Sequence, residues 1–283
     1  MPLTLDRRSF LKTTAATGAV VAAAPHLGIS PAGAVTRRGS PPGRLVVLFL
    51  RGGQDHLSVT VPYTDSDYYD QRPTIAIPDT EVLDLDGQFG FHPAMSGMHA
   101  LFAANRMSVV VAAGNPAGDR SHFFAQDLWE YGDVALPADG FGWLGRHMVV
   151  TDVPDASPFR AMTLGNNVNA SLRGYPALGL PSIQEFGLGG LSGATAPLED
   201  SFRNSYGGNR AVEQFGRQAL DAADEVSSLS GSSNADPDVR AFADIAVLLE
   251  ADLGIEVVTA NIGAWDTHNG MGTHDSGQMR DLL

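Results

Sequence analysis

The chain has 283 residues, 43% hydrophobic and 18% charged, a composition that fits one large globular domain or two small ones and excludes a disordered or collagen-like chain. Asp and Glu outnumber Lys and Arg 32 to 18, a net charge of −14, which disfavours a nucleic-acid phosphate binder and favours cations. Cysteine is absent, so disulfides, thiolate–zinc sites, iron–sulfur clusters and cysteine nucleophiles are excluded together, and any metal must be held by oxygen and imidazole. Lys12 is the one lysine, which removes Schiff-base and P-loop chemistry from the body of the chain.

The first segment reads as an address. Arg7-Arg8 precede Ser9-Phe10-Leu11-Lys12, a mildly apolar stretch runs from Thr13 to Ala24, and Ala32-Gly33-Ala34 has the small-x-small form of a signal-peptidase site. The arginine pair resembles the twin-arginine export motif, so residues 1–34 are expected to be a signal peptide and the protein periplasmic, cell-wall-associated or secreted. Removing them takes away a net +2 (Arg7, Arg8 and Lys12 against Asp6) and leaves −16. No apolar run reaches the ~18 residues of a membrane span, so no transmembrane segment is expected.

Residues 35–44 read as a polar Pro/Gly linker, and 45–283 as the folded domain. The continuous apolar run Leu45-Val46-Val47-Leu48-Phe49-Leu50 predicts a buried parallel strand ending in Arg51-Gly52-Gly53. Residues 93–105 have helical apolar spacing. Residues 108–113 predict a second buried strand, closed by the turn cluster Gly114-Asn115-Pro116-Ala117-Gly118. A helix is expected over 121–131 with Ser121 as its N-cap, and Phe123, Phe124 and Trp129 on its core side. Residues 160–200, rich in Gly, Pro and Asn, read as a loop-rich insertion. Helices follow over 201–229 and 238–253, and residues 255–260 predict a third strand. Alternating strands and helices argue an α/β fold with a largely parallel sheet flanked by helices.

Ligands of such sheets sit beyond the carboxyl ends of the strands. The three strand ends carry Gly52-Gly53-Gln54-Asp55-His56, then Asp119-Arg120-Ser121-His122, then Trp265-Asp266-Thr267-His268. Asp55 follows a Gly-Gly turn that lets backbone approach a cleft closely, or is a turn or cap residue. Ser121, at a helix start, is either a nucleophile or metal ligand, or a plain N-cap. Arg120 could hold an oxyanion bidentately. Asp266 and His268, two apart in extended chain, share a face and could reach one metal, with zinc, manganese or iron suited to such oxygen and nitrogen ligands. His92 is a further candidate as a supporting residue or helix cap, and His122 as a ligand. His99 and His147 read as surface residues, and His274 as one that could reach the same site.

Taken in order, the leader, Arg51-Gly52-Gly53-Gln54-Asp55-His56-Leu57-Ser58, Phe91-His92-Pro93-Ala94, Gly118-Asp119-Arg120-Ser121-His122-Phe123-Phe124-Ala125-Gln126-Asp127 and Ala264-Trp265-Asp266-Thr267-His268 resemble the exported bacterial family called domain of unknown function 1501. That family is similar to the alkaline phosphatase and sulfatase superfamily. The resemblance implies an alkaline-phosphatase-like sheet with a two-metal site. In it Asp55 is a first-strand ligand, Ser121 the nucleophile position, also touching metal, and Asp266 with His268 a later ligand pair. It implies divalent metal cofactors and a small anionic ester substrate for a phosphate or sulfate ester hydrolase. The superfamily usually spaces its later pair more widely than Asp-x-His, and family members run well past Leu283, so the resemblance also implies a C-terminally truncated domain. Two other readings stand beside it: a non-catalytic extracytoplasmic protein that binds an exported protein partner, and an inactive truncated family member.

Overall fold

The structure, a computed structural model, describes residues 43–116, 120–153, 156–186, 195–234 and 236–283. The signal segment and most of the linker lie outside the described residues, as do 187–194 of the expected insertion.

The order of elements is β1 (Leu45–Leu50), α1 (His56–Val59), β2 (Thr60–Val61), α2 (Ser66–Gln71), β3 (Leu83–Asp84), β4 (Gly90–Phe91) and α3 (Ser96–Ala103). Then come α4 (His122–Tyr131), α5 (Trp143–Val150), β5 (Ala161–Leu164), β6 (Leu178–Leu180), α6 (Thr195–Ser205), α7 (Ala211–Ser227), α8 (Pro237–Glu250), β7 (Val257–Ile262) and α9 (Gln278–Leu282). Four strands form one parallel sheet in the order β1-β7-β5-β6. Leu45 pairs with Val257 and Leu50 with Ile262, so β1 and β7 end together. The strands β2, β4 and β3 form a small antiparallel sheet.

Helices cover both faces of the parallel sheet, as strands joined by helical crossovers require. On one face Met162, Leu164, Val258 and Ala260 pack with Ala222 and Val226 of α7 and Ile245 and Leu248 of α8. On the other, Val47, Ala161 and Val257 meet Leu144 and Met148 of α5 and Leu172. A third cluster sits at the carboxyl end of the β1–β7 pair, where Ile262 and Trp265 pack with Val59, Phe91, Met95 and Met279. The hydroxyls of Thr163 and Thr259 bond each other at 2.7 Å across β5 and β7, so the buried centre of the sheet leaves neither unpaired. Arg160, 5% exposed, donates to Glu256, Asp152, Tyr175, Thr151 and the Met148 carbonyl, tying the end of α5 to the start of β5 and the residue before β7.

Five expectations change. The helix expected over 201–229 is two, α6 and α7, separated by the turn at 206–210. Residues 108–113 form no strand, and a turn falls at Val111-Ala112 with Ala112 at φ +54. The region 160–200 is not an insertion: β5 and β6 lie in it and form half of the parallel sheet. Its Gly and Pro residues end short strands rather than mark a cap. The third strand runs two residues later than expected, because its neighbours β1 and β5 begin at Leu45 and Ala161, both opposite Val257. Finally β1 is an edge strand, with Leu45, Val46 and Leu48 exposed.

Candidate metal centre

Two parallel strands that end side by side place their following loops side by side. After β1, the Arg51 amide donates to the Ile262 carbonyl at 2.8 Å, and the Trp265 amide returns to the Arg51 carbonyl at 3.2 Å. Gly52, at φ +126, is where the two loops touch: a Cβ there would lie 2.4 Å from the backbone nitrogen of Asp266. A Cβ on Gly53 would lie 2.5 Å from Cε1 of His122. The Gly-Gly turn is thus a floor against which both Asp266 and His122 rest, and only glycine leaves room for them.

His122 opens α4. Ser121 is its N-cap, its Oγ accepting from the Phe124 amide at 3.5 Å, and Gly132 closes the helix in the left-handed region. The helix is fastened to the strand ends by a polar network. Arg51 donates to Asn261 of β7 at 2.9 Å, to Gln126 at 3.2 Å and to Glu130 at 2.5 Å, and the other Glu130 oxygen accepts from the Ala170 amide at 3.2 Å. Glu130 is 4% exposed, and Arg51 also lies 4.2 Å from the centre of the Phe49 ring. Sequence reading missed this network; the one trace of it was an arginine and a glutamate at the ends of apolar segments.

The outcome is a three-residue group. His122 Nε2 lies 3.0 Å from His268 Nε2 and 3.2 Å from Asp266 Oδ1, and His268 Nε2 lies 2.8 Å from the same Oδ1. Among the described residues no other such set of His, Asp or Glu atoms converges. The site is open: the side chains are 32%, 48% and 67% exposed for His122, Asp266 and His268.

Of the remaining candidates, Arg120 and Ser121 directly precede His122 in the chain, and the others lie elsewhere. Asp55 does not join the group. Its carboxylate is bound by the Arg72 guanidinium and accepts from Ser58 Oγ at 2.7 Å, because Arg72 at the end of α2 folds back over the start of α1. Ser121 adjoins His122 in the chain but its Oγ serves the cap, and Arg120 is exposed. His92 is 1% exposed and acts as a cap, Nδ1 accepting from the Ala94 amide at 3.1 Å; burial holds its pKa below the ordinary histidine value. His274 is near His92 rather than in the group, His99 contacts the Asp84 carbonyl, and His147 lies 3.4 Å from Glu256. Phe123, Phe124 and Trp129 are exposed, Phe123 by 85%, rather than packed in the core.

Residues 4–24 match the family model of the TAT (twin-arginine translocation) pathway signal sequence. No curated protein and no solved structure matches the chain. No helix among the described residues is long and apolar enough to cross a membrane. The protein carries a twin-arginine signal and is exported by that pathway.

Proposed function

We propose that this exported protein binds a divalent cation through His122, Asp266 and His268 and acts as a metal-dependent hydrolase of phosphate or sulfate esters. One observation carries the reading. Three atoms lie pairwise within 3.2 Å, and each contact needs a hydrogen to be favourable. Each Nε2 supplies at most one, and an ionised carboxylate oxygen supplies none. Two hydrogens make at most two linear hydrogen bonds, so one edge of the triangle is either a bent, shared bond or unpaired. His122 Nε2, Asp266 Oδ1 and His268 Nε2 would each offer a lone pair to a bound cation, which would remove that conflict.

The donor set fits. Ligands at ~2.0–2.2 Å from a cation and 90–109° apart are roughly 2.8–3.6 Å from one another, and the observed separations of 2.8, 3.0 and 3.2 Å fall in that span. Two imidazoles and one carboxylate suit zinc, manganese or iron, and the exposure leaves room for further ligands. When bound, the cation supplies Lewis-acid stabilisation of charge on an ester oxygen.

The chain's own groups carry the rest of this reading. The Gly52-Gly53 floor and the Arg51–Glu130 network hold His122 and Asp266 in place. Ser121 is the nucleophile: its Oγ forms the bond to phosphorus or sulfur as the bond to the ester oxygen breaks, and its proton passes through water to that oxygen, which leaves as the alcohol; a second water then adds at phosphorus or sulfur, the bond to Oγ breaks, and one proton of that water returns to Oγ as the anion leaves. Arg120 pairs with the ester's non-bridging oxygens. The four-stranded parallel sheet flanked by helices, with the group at its carboxyl edge, supports the alkaline-phosphatase-like reading.

The test is calorimetric titration of the purified, metal-stripped protein with zinc and with manganese, alongside hydrolysis of aryl phosphate and aryl sulfate. The expected result is saturable binding near one equivalent, weakened more than about 10-fold in His268→Ala, with a melting temperature of the metal-free variant close to that of the parent. Absence of saturable binding overturns the reading. Binding without hydrolysis keeps the metal site and removes the catalytic role.

A further inference from the structure

We propose that residues 108–113 are a strap that closes on the free edge of β1 as a fifth parallel strand, and that closing it braces the strand end on which the His122 group rests. The proposal does not depend on a metal being bound.

It begins with an unsatisfied edge. The amides of Leu45 and Arg51 donate to the carbonyls of Glu256 and Ile262, so the odd-numbered residues of β1 turn their main chain toward β7. In a parallel ladder the alternate residues then turn theirs outward. Val46, Leu48 and Leu50 therefore present amides and carbonyls to the side of β1 where no strand sits. An apolar edge of this kind is ordinarily covered.

The segment beside it is built to cover it. Its sequence, Ser-Val-Val-Val-Ala-Ala, is rich in the β-branched residues that favour strands. It follows α3 closely, and a helical crossover is the usual way of returning the chain parallel to a strand already laid down. It is already near its place, since Ser108, Val109 and Val110 line a cavity of 660 Å³ that Leu48 and Leu50 also line, and Val109 packs in the same cluster as Leu50.

Two features show that its present position is a compromise. Val110 is 75% exposed and Val111 37%. Ala112 sits at φ +54, a region costly for a residue with a Cβ and left behind on extension. The alternation of a strand also supplies a destination for Val110. With Val109 kept on the Leu50 face, Val110 turns to the opposite face, where a second cavity of 360 Å³ lies between Phe49 and Trp129. Trp129 is itself 48% exposed there. His122 and Gly52 border that cavity, so filling it stiffens the end of β1 next to the group.

Hydrogen exchange on the purified protein, read at single amides, tests this directly. In the open arrangement the amides of Val46, Leu48 and Leu50 exchange like those of the exposed loop 133–139. In the closed one they exchange more than about 100-fold more slowly, as do alternate amides of the strap. Val110→Pro cannot enter a ladder as a donor, and is expected to abolish that protection while the amides of β5 and β7 keep theirs. Loop-like exchange at all three β1 amides in the parent overturns the proposal, as does slow exchange unaltered by Val110→Pro. Protection that fades on dilution comes from a second chain on the edge and also overturns the proposal, so a dilution series of the parent decides the matter even if the proline variant fails to fold.

Discussion

β1 and β7 are six-residue neighbours paired in register from end to end, and they differ in burial in the reverse of what composition suggests. β1 is wholly apolar, Leu-Val-Val-Leu-Phe-Leu, yet none of its residues is fully buried. β7 reads Val-Val-Thr-Ala-Asn-Ile, with two polar residues, and five of its six residues are buried. Position explains the inversion. β7 has strands on both sides and helices on both faces, whereas β1 has a strand on one side only. The polar residues of β7 are tolerated because each finds a partner: Thr259 bonds Thr163, and Asn261 exchanges amide hydrogen bonds with Asn169 and accepts from Arg51. Apolarity sets what a strand can lose by exposure; its place in the sheet sets whether it is exposed.

The sharpest way to break the comparison is at the polar tie that joins the two strand ends to α4. Glu130→Gln leaves Arg51 held mainly by neutral partners in a site where Glu130 is nearly inaccessible. Removing one partner of a buried pair costs roughly 3–5 kcal/mol, and the partial exposure of Arg51 places this case near the lower figure. Chemical denaturation is expected to show that loss, and a change below about 1 kcal/mol would mean that the tie is idle.

The strands themselves give the next effect. Ile262→Ala in β7, at a site 6% exposed, is expected to cost about 2–5 kcal/mol. Leu45→Ala in β1, at a site 43% exposed, is expected to cost within about 0.5 kcal/mol of nothing. Equal losses in the two variants would show that β1 is as covered as β7 and that the difference in burial does not describe the protein in solution.

The smallest effect is a pH dependence beneath the strand ends. His92 is buried, which holds its pKa below the ordinary histidine value near 6.5, so between that value and the lower folded one the unfolded chain binds the extra proton. Stability contributed by the neutral ring is complete above pH 6.5 and falls as the pH drops through that window. Asn at this position can still cap the Ala94 amide. His92→Asn is therefore expected to flatten the decline of melting temperature as the pH falls below 6.5, and an unchanged slope would assign the decline to other groups.

Local signals were legible where they were short-range. The apolar run of β1 as a strand, the helix over 121–131 with its Ser121 cap, and the helix expected over 93–105 and found at 96–103 all follow from neighbours in sequence. The export address is of the same kind, since a receptor reads it as a linear motif. The strands β5 and β6 were hidden because they are four and three residues long, set among Gly, Pro and Asn, and are strands only by virtue of their neighbours, β7 beside β5 and β5 beside β6.

The candidate site divides along the same line. Sequence alone determined that any metal would meet oxygen and imidazole, since the chain holds no cysteine, and that Asp266 and His268 would share one face of an extended segment. Tertiary structure decided that the third member is His122 rather than Asp55. That choice depends on Arg72 reaching back to take the Asp55 carboxylate, on a Gly-Gly floor that admits the His122 ring, and on an Arg51–Glu130 pair 79 residues apart that docks α4. Such contacts join residues far apart in sequence, and no local pattern carries them, because their strength comes from burial and geometry that exist only once the chain has folded.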